Sequence, residues 1–287
     1  MAYIGASRRS AAHTAESDHQ FNCQEESMER SRLERFIEPP FVIERGESPD
    51  LLVIGFAGFG GWLSMHPFHF FALSSLVKYS RIMLRDPSKT CYLDGIPGVA
   101  EGYRALLELL RDAIDHLAPG KVMALGTSGG GTAALLFGHA LKVDYVHAFS
   151  PFTYADDANL NRYQDREMLA RHRRVVARLH ALPAEVQVLL DVQKALAHHN
   201  GKTRYFVHYC EGRNFDVIRA KHIEKCPGVS LLAYPCDVHQ VAESLARKRL
   251  LDVVLKLENQ ERLPQLVAEK RSRRAGPQQA RKKKPNP

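Results

Sequence analysis

The stretch from Val122 to Leu141 limits what this chain can fold into more than any other part of it. It opens with an apolar run of strand length, Val122-Met123-Ala124-Leu125. It then passes through Gly126-Thr127-Ser128-Gly129-Gly130-Gly131 and continues as a small-residue, apolar segment to Leu141. A short continuous apolar run suits a strand covered on both faces, and a helix of small residues suits close packing on a sheet. A strand that turns directly into a buried helix predicts a parallel sheet with helices on either side.

The rest of the chain repeats that alternation. Further strand-length apolar runs occur at Leu51–Phe56, Arg81–Leu84, Tyr145–Phe149, Arg204–Tyr209 and Ser230–Tyr234. Helical periodicity follows at Glu101–Leu117, which Pro119-Gly120 stops, and at Val241–Leu257. The expectation is an α/β protein, a mostly parallel sheet with flanking helices, over residues 36–262. Between about 155 and 200 no strand candidate occurs. Two helices are predicted there, Asn161–His180 and Pro183–His199, and they read as a helical cap inserted between two strands. Residues 1–35 lack apolar periodicity and predict a disordered arm, and residues 263–287 a basic, disordered tail.

With 287 residues and 45% hydrophobic content the chain can bury one large core. No run approaches the roughly 20 apolar residues that span a bilayer, and Met1–Gln20 has no apolar core of the secretory type. The five cysteines, Cys23, Cys91, Cys210, Cys226 and Cys236, are scattered and odd in number, which fits free thiols and a cytoplasmic location. The net charge is +8, yet eight of the 40 basic residues lie between Lys270 and Lys284, where no acid occurs. The remaining 32 match the 32 acidic residues, so the basicity belongs to the tail, which suits contact with an anionic polymer or an acidic protein.

Gly126-Thr127-Ser128-Gly129-Gly130 is a G-x-S-x-G motif between a strand and a helix. A serine held on so tight a turn sits in a strained backbone conformation, so its neighbours two positions away must be small. The turn lifts the hydroxyl above the sheet edge at a helix N-terminus, where free N–H groups favour developing negative charge. Gly129 N–H, directly after the serine, is then a candidate oxyanion donor. A competing reading exists, since Gly129-x-Gly131-x-x-Ala134 also fits a dinucleotide-binding turn. That turn normally follows the first strand of its unit, and this one follows the third candidate strand. No Gly-Lys-Ser/Thr follows it.

A serine nucleophile needs a base, itself oriented by an acid. The strand at Arg204–Tyr209 runs into a segment containing Asp216, and the strand at Ser230–Tyr234 into one containing His239. Both lie at carboxyl ends of strands, on the same rim as Ser128. Glu211 is an alternative acid and Asp237 a neighbour of His239 in sequence, the latter read as an exposed turn residue. His208 and His222 read as structural or surface histidines.

From Leu51 to about Leu257, the strand order, the G-T-S-G-G turn and the late Asp…His resemble the α/β-hydrolase superfamily, of the small serine-esterase or thioesterase sort. The resemblance implies a Ser128–Asp216–His239 triad acting through an acyl-enzyme on a small-molecule or carrier-bound acyl substrate. It implies no cofactor and no metal. In that family a loop after an early strand gives the second oxyanion N–H, which carries over to Ala57 in Leu51–Gly61, with room for a shift of a residue or two. This chain departs from the usual His-Gly pair, having Gly55-Phe56 at that point. The superfamily hosts many chemistries. An acyltransferase using the same triad and a non-catalytic interaction protein with a basic tail are the alternatives.

Other features carry less. His66, His69, His198 and His199 lack a supporting ligand set, so packing or exposure is favoured over a metal. Asp94–Gly98 is expected to line the cleft or form a turn. Trp62, Phe68, Phe70 and Phe71 suit either a pocket wall or core. Arg166, Arg171, Arg173, Arg174 and Arg178 suit a solvated face or an anionic substrate.

Overall fold

The computed structural model describes residues 39–275. The arm expected at residues 1–35 lies outside them, as do residues 276–287. In chain order the strands are β1 (Phe41–Glu44), β2 (Ser48–Phe56), β3 (Tyr79–Leu84), β4 (Gly95–Ile96), β5 (Ala100–Glu101), β6 (Lys121–Thr127), β7 (Tyr145–Phe149), β8 (Arg204–Cys210) and β9 (Val229–Tyr234). Seven of them form one sheet in the order β1-β3-β2-β6-β7-β8-β9. Every neighbouring pair is parallel except β1 with β3, and β4 and β5 make a separate antiparallel ladder. The parallel sheet expected from the alternation is present. The short edge strand β1 was not foreseen, because its apolar run, Phe41-Val42-Ile43, is only three residues long.

The helices are α1 (Pro67–Ala72), α2 (Gly102–Leu117), α3 (Gly129–Ala140), α4 (Asp157–Tyr163), α5 (Arg166–Arg171) and α6 (Arg173–His180). They continue as α7 (Ala184–Gln187), α8 (Val192–Ala195), α9 (Asn214–His222), α10 (Val241–Arg247), α11 (Leu251–Leu255) and α12 (Leu263–Ala275). Both faces of the sheet are covered, which explains the unbroken apolar runs. In β2, Leu52, Ile54 and Phe56 pack with Leu106 and Leu110 of α2 and Leu135 and Phe137 of α3. The alternate residues Leu51 and Val53 pack with Val241 and Leu245 of α10, Leu251 of α11 and Leu263 of α12.

Three expectations need correcting. The residues between β7 and β8 do form a wholly helical insertion, but as five short helices and a 3-10 turn rather than two long helices. Asp156, Asp165 and Asp191 each accept an N–H from the next turn and so start new helices. Val241–Leu257 is likewise split, with Arg249 at φ 54° between α10 and α11. The tail begins later than expected, since Leu263–Ala275 is helical. Leu263 is fully buried, worth about 2 kcal/mol, and Val267 packs on the same core, which anchors the first turns of α12. No helix among the described residues is long and apolar enough to cross a membrane.

Candidate active site

β6 delivers Ser128 to the carboxyl edge of the sheet, where φ is 55° and ψ is −122°. L-residues avoid this backbone region, so the surroundings must hold the turn in place. Ser128 N–H donates to Phe149 O at 2.8 Å, and its carbonyl accepts from Thr132 N at 3.1 Å. The two flanking glycines are required by contact. A Cβ on Gly126 would lie 2.1 Å from Gly130 O, and one on Gly130 would lie 2.1 Å from Phe56 O. The helix that starts here, α3, leaves Gly129 N–H without a backbone acceptor among the described residues, as a first-turn position must.

Asp216 stands in the first turn of α9, after β8, and is 2% exposed. His239 sits on the loop between β9 and α10. Its Nδ1 lies 3.0 Å from Asp216 Oδ2 and 3.1 Å from Oδ1, the reach of a hydrogen bond that fixes the ring. The ring of Phe152 stacks alongside, with centroids 6.1 Å apart. Ser128 Oγ, in contrast, donates to no group among the described residues, His239 Nε2 included. Contacts of this kind commonly tighten only with substrate in place. The structure therefore pairs Asp216 with His239 and shows no hydrogen bond from Ser128 Oγ among the described residues. Glu211 and Asp237 are both exposed.

The N–H groups of the loop after β2, where the oxyanion donor was expected at Ala57 or a residue or two from it, are unequal. Ala57 N–H is already committed to Leu84 O at 3.0 Å, and Gly58 N–H to Trp62 O at 2.9 Å. The next N–H, that of Phe59, has no acceptor among the described residues. The loop lies against the turn, since a Cβ on Gly58 would lie 3.6 Å from Ser128 Cβ. Of these three loop N–H groups, that of Phe59 alone is uncommitted among the described residues. Ala57 N–H is taken because β2 pairs with β3 to its last residue, and the ladder consumes one more N–H beyond it.

Sequence reasoning missed several residues of this site. Arg219, fully buried, holds both carboxylate oxygens of Asp165, reaches Glu167 at 3.2 Å and stands 3.7 Å from Asp216. Its spacing of three from Asp216 on one helix was the available signal. The rings of Phe59, Phe152 and His172 cluster over the turn, with His172 5.3 Å from Phe152 and 6.1 Å from Phe59. Burial pushes the His172 pKa down, and the Arg219 guanidinium pushes it the same way.

The free-thiol expectation fails for two cysteines. Cys210, which ends β8, and Cys236, just past β9, form a disulfide with Cα atoms 4.9 Å apart, while Cys91 and Cys226 are free. Parallel neighbouring strands bring these positions together, which a separation of 26 in sequence conceals. The argument from thiols to a cytoplasmic location loses its footing there.

The remaining expectations divide. His208 lies wholly buried within β8, and His222 is buried against Asp191 at 2.9 Å, so both are structural. Phe70 and Phe71 are core rather than pocket wall, Trp62 is 45% exposed, and the side chain of Phe68 lies outside the described residues. Asp94 borders a cavity that also meets Arg178, whose Nη1 donates to Ser88 O.

No protein-family model matches the chain, and no curated protein matches it in sequence. Among solved structures, a carboxylesterase of the ammonia-oxidizing thaumarchaeon Nitrososphaera gargenis is similar in fold, with a TM-score of 0.50 at 15% identity, covering 80% of this chain and 96% of the other. A thermostable esterase from Pseudomonas putida has a TM-score of 0.49 at 15% identity, covering 76% and 79%. An α/β hydrolase from the sediment metagenome of the Mar Chica lagoon has a TM-score of 0.46 at 17% identity, covering 83% and 97%. At these identities likeness speaks for architecture, and the first structure carries that inference. Together with the seven-stranded, mostly parallel sheet and the strand–serine–helix turn, it assigns this chain the α/β-hydrolase fold.

Proposed function

We propose that this protein is a serine hydrolase that cleaves an ester or thioester through an acyl-enzyme on Ser128. The observation that carries the reading is a serine at positive φ on the β6–α3 turn, with a hydrogen-bonded Asp216–His239 pair at the same sheet edge. Ser128 Oγ attacks the carbonyl carbon while His239 Nε2 takes its proton. Asp216 holds Nδ1–H, which keeps the other nitrogen free as the acceptor and stabilises the imidazolium that forms. The N–H groups of Gly129 and Phe59 receive the oxyanion. His239 returns its proton to the leaving group, and water attacks the acyl-enzyme by the same route. The similarity in fold to the Nitrososphaera carboxylesterase accords with this chemistry.

The direct experiment is reaction with a fluorophosphonate probe, followed by intact mass and peptide mapping. One phosphonyl adduct on Ser128 is expected, and none in Ser128→Ala. A protein that stays unlabelled, or that is labelled elsewhere, would overturn the assignment.

A further inference from the structure

Five arginines among the described residues are less than fully exposed, and four of them pair with a carboxylate. Arg81 pairs with Glu44, Arg204 with Glu261, Arg213 with Glu167 and Arg219 with Asp165. Arg85 is the exception, since no group among the described residues takes up its guanidinium. A partly desolvated cation left unpaired costs stability unless something else supplies the anion.

The position of Arg85 indicates where that anion would sit. It follows β3, and its head rests on the backbone of the Gly60-Gly61 turn. A Cβ on Gly61, at φ 79°, would lie 3.1 Å from Arg85 Nε and 3.3 Å from Nη2. Phe59, Gly60, Gly61, Arg85, Asp86 and Lys89 line one cavity with about 330 Å³ of room. The loop that carries the Phe59 N–H is therefore also a wall of this cavity. Lys89, exposed and at φ 55°, adds a second cation with no acidic partner among the described residues. The carboxylate in the wall, Asp86, is buried. Its Oδ2 accepts from Thr90 N at 2.8 Å and Tyr92 N at 3.0 Å, and its Oδ1 is buried without a hydrogen-bond partner among the described residues. Burial pushes its pKa up, against the backbone N–H groups that hold it down.

We propose that Arg85 and Lys89 bind an anionic group, a carboxylate or a phosphate, on the substrate of the Ser128 site. The guanidinium fork suits two parallel hydrogen bonds to such a group, and Lys89 adds a mobile point charge at the mouth. The placing beside the reacting carbonyl rests on the hydrolase reading, through the shared Phe59 loop. The anion site itself does not.

Two measurements separate the claims. In the first, calorimetric titration at low ionic strength compares inorganic phosphate and glutarate binding to the wild type, Arg85→Gln and Arg85→Lys. The wild type should bind at least one of them about tenfold more tightly than Arg85→Gln, with Arg85→Lys between. In the second, kcat/KM is compared for p-nitrophenyl hydrogen glutarate against p-nitrophenyl valerate, and for 3-carboxyphenyl acetate against phenyl acetate. These pairs put the charge on the acyl and on the leaving side. The wild type should prefer the charged member of one pair by about tenfold, and Arg85→Gln should bring that ratio close to one. A purely structural role for Arg85 would move both members of a pair together. Equal anion binding by wild type and Arg85→Gln overturns the site, whatever the esters do. Anion binding without turnover of any ester leaves the site standing and counts against the hydrolase.

Discussion

Arg219 Nη1 stands 3.7 Å from Asp216 Oδ1 while the same guanidinium grips Asp165, so one buried cation joins the acid-bearing helix α9 to the helical insertion. Arg219 and Asp165 are both 0% exposed. Removing the arginine strands a carboxylate in the interior.

The first prediction follows. Arg219→Leu should lower the unfolding free energy by about 3 to 5 kcal/mol, because an uncompensated buried charge costs far more than the pair contributes. Arg219→Leu with Asp165→Leu should lose markedly less than Arg219→Leu alone. Urea unfolding measures both. A loss under about 1 kcal/mol in the single variant would contradict the burial argument.

A second prediction concerns acid. His147 bonds His208 at 3.0 Å and Gln260 at 2.8 Å, and His208 bonds Tyr234 at 2.9 Å, all in the interior. Burial pushes His147 down from 6.5 to about 4 and His208 well below its usual value, the latter helped by His147. Both fold as neutral rings, whereas the unfolded chain takes up protons near pH 6.5. The fold should thus be at full strength above about pH 6.5 and weaken as pH falls toward 4. His147 alone accounts for a loss of up to about 3 kcal/mol over that window. Urea midpoints between pH 7 and 4 should fall less steeply in His147→Gln than in the wild type.

The third prediction concerns the disulfide. Closing a loop of this length lowers unfolded-chain entropy by an amount worth about 3 to 4 kcal/mol in the chain-entropy picture. Cys210→Ser with Cys236→Ser should cost about that much in urea unfolding. At temperatures where both forms stay folded, the double variant should also hydrolyse the best ester about tenfold more slowly, because the segments carrying Asp216 and His239 would no longer be tied together. Equal rates would assign the bond to stability alone.

The fourth prediction tests the triad as a unit. Ser128→Ala and His239→Ala should each abolish most ester turnover without lowering the melting temperature much, and the double variant should lose little more than either. Asp216→Asn leaves the ring in the wrong tautomer and should cost about four decades by the serine-protease precedent. Additive losses in the double variant would mean that Ser128 and His239 act separately.

What the sequence made legible was whatever rests on local pattern. The β6 run, the glycines around Ser128 and the carboxyl-end positions of Asp216 and His239 are properties of short segments, and each was readable as such. That Ala57 N–H is taken up by Leu84 O was not legible, because it depends on where the β2–β3 ladder stops using N–H groups, which the run Gly55–Gly61 does not encode. Cys210–Cys236 and Arg219–Asp165 were missed for a related reason. Both join residues distant in sequence that only the sheet order brings together. The insertion was seen as helical but not as broken, since Asp165 and Asp191 cap helices through side chains that periodicity ignores.

The disulfide has a further consequence for a protease. Cys210 and Cys236 close a covalent ring that contains α9, β9 and the exposed turn at Glu224–Lys225. A cut at that turn severs the backbone between the Asp216 and His239 segments, yet the fragments remain one molecule. The nicked protein would run as a single band until reduced, and as two bands afterwards.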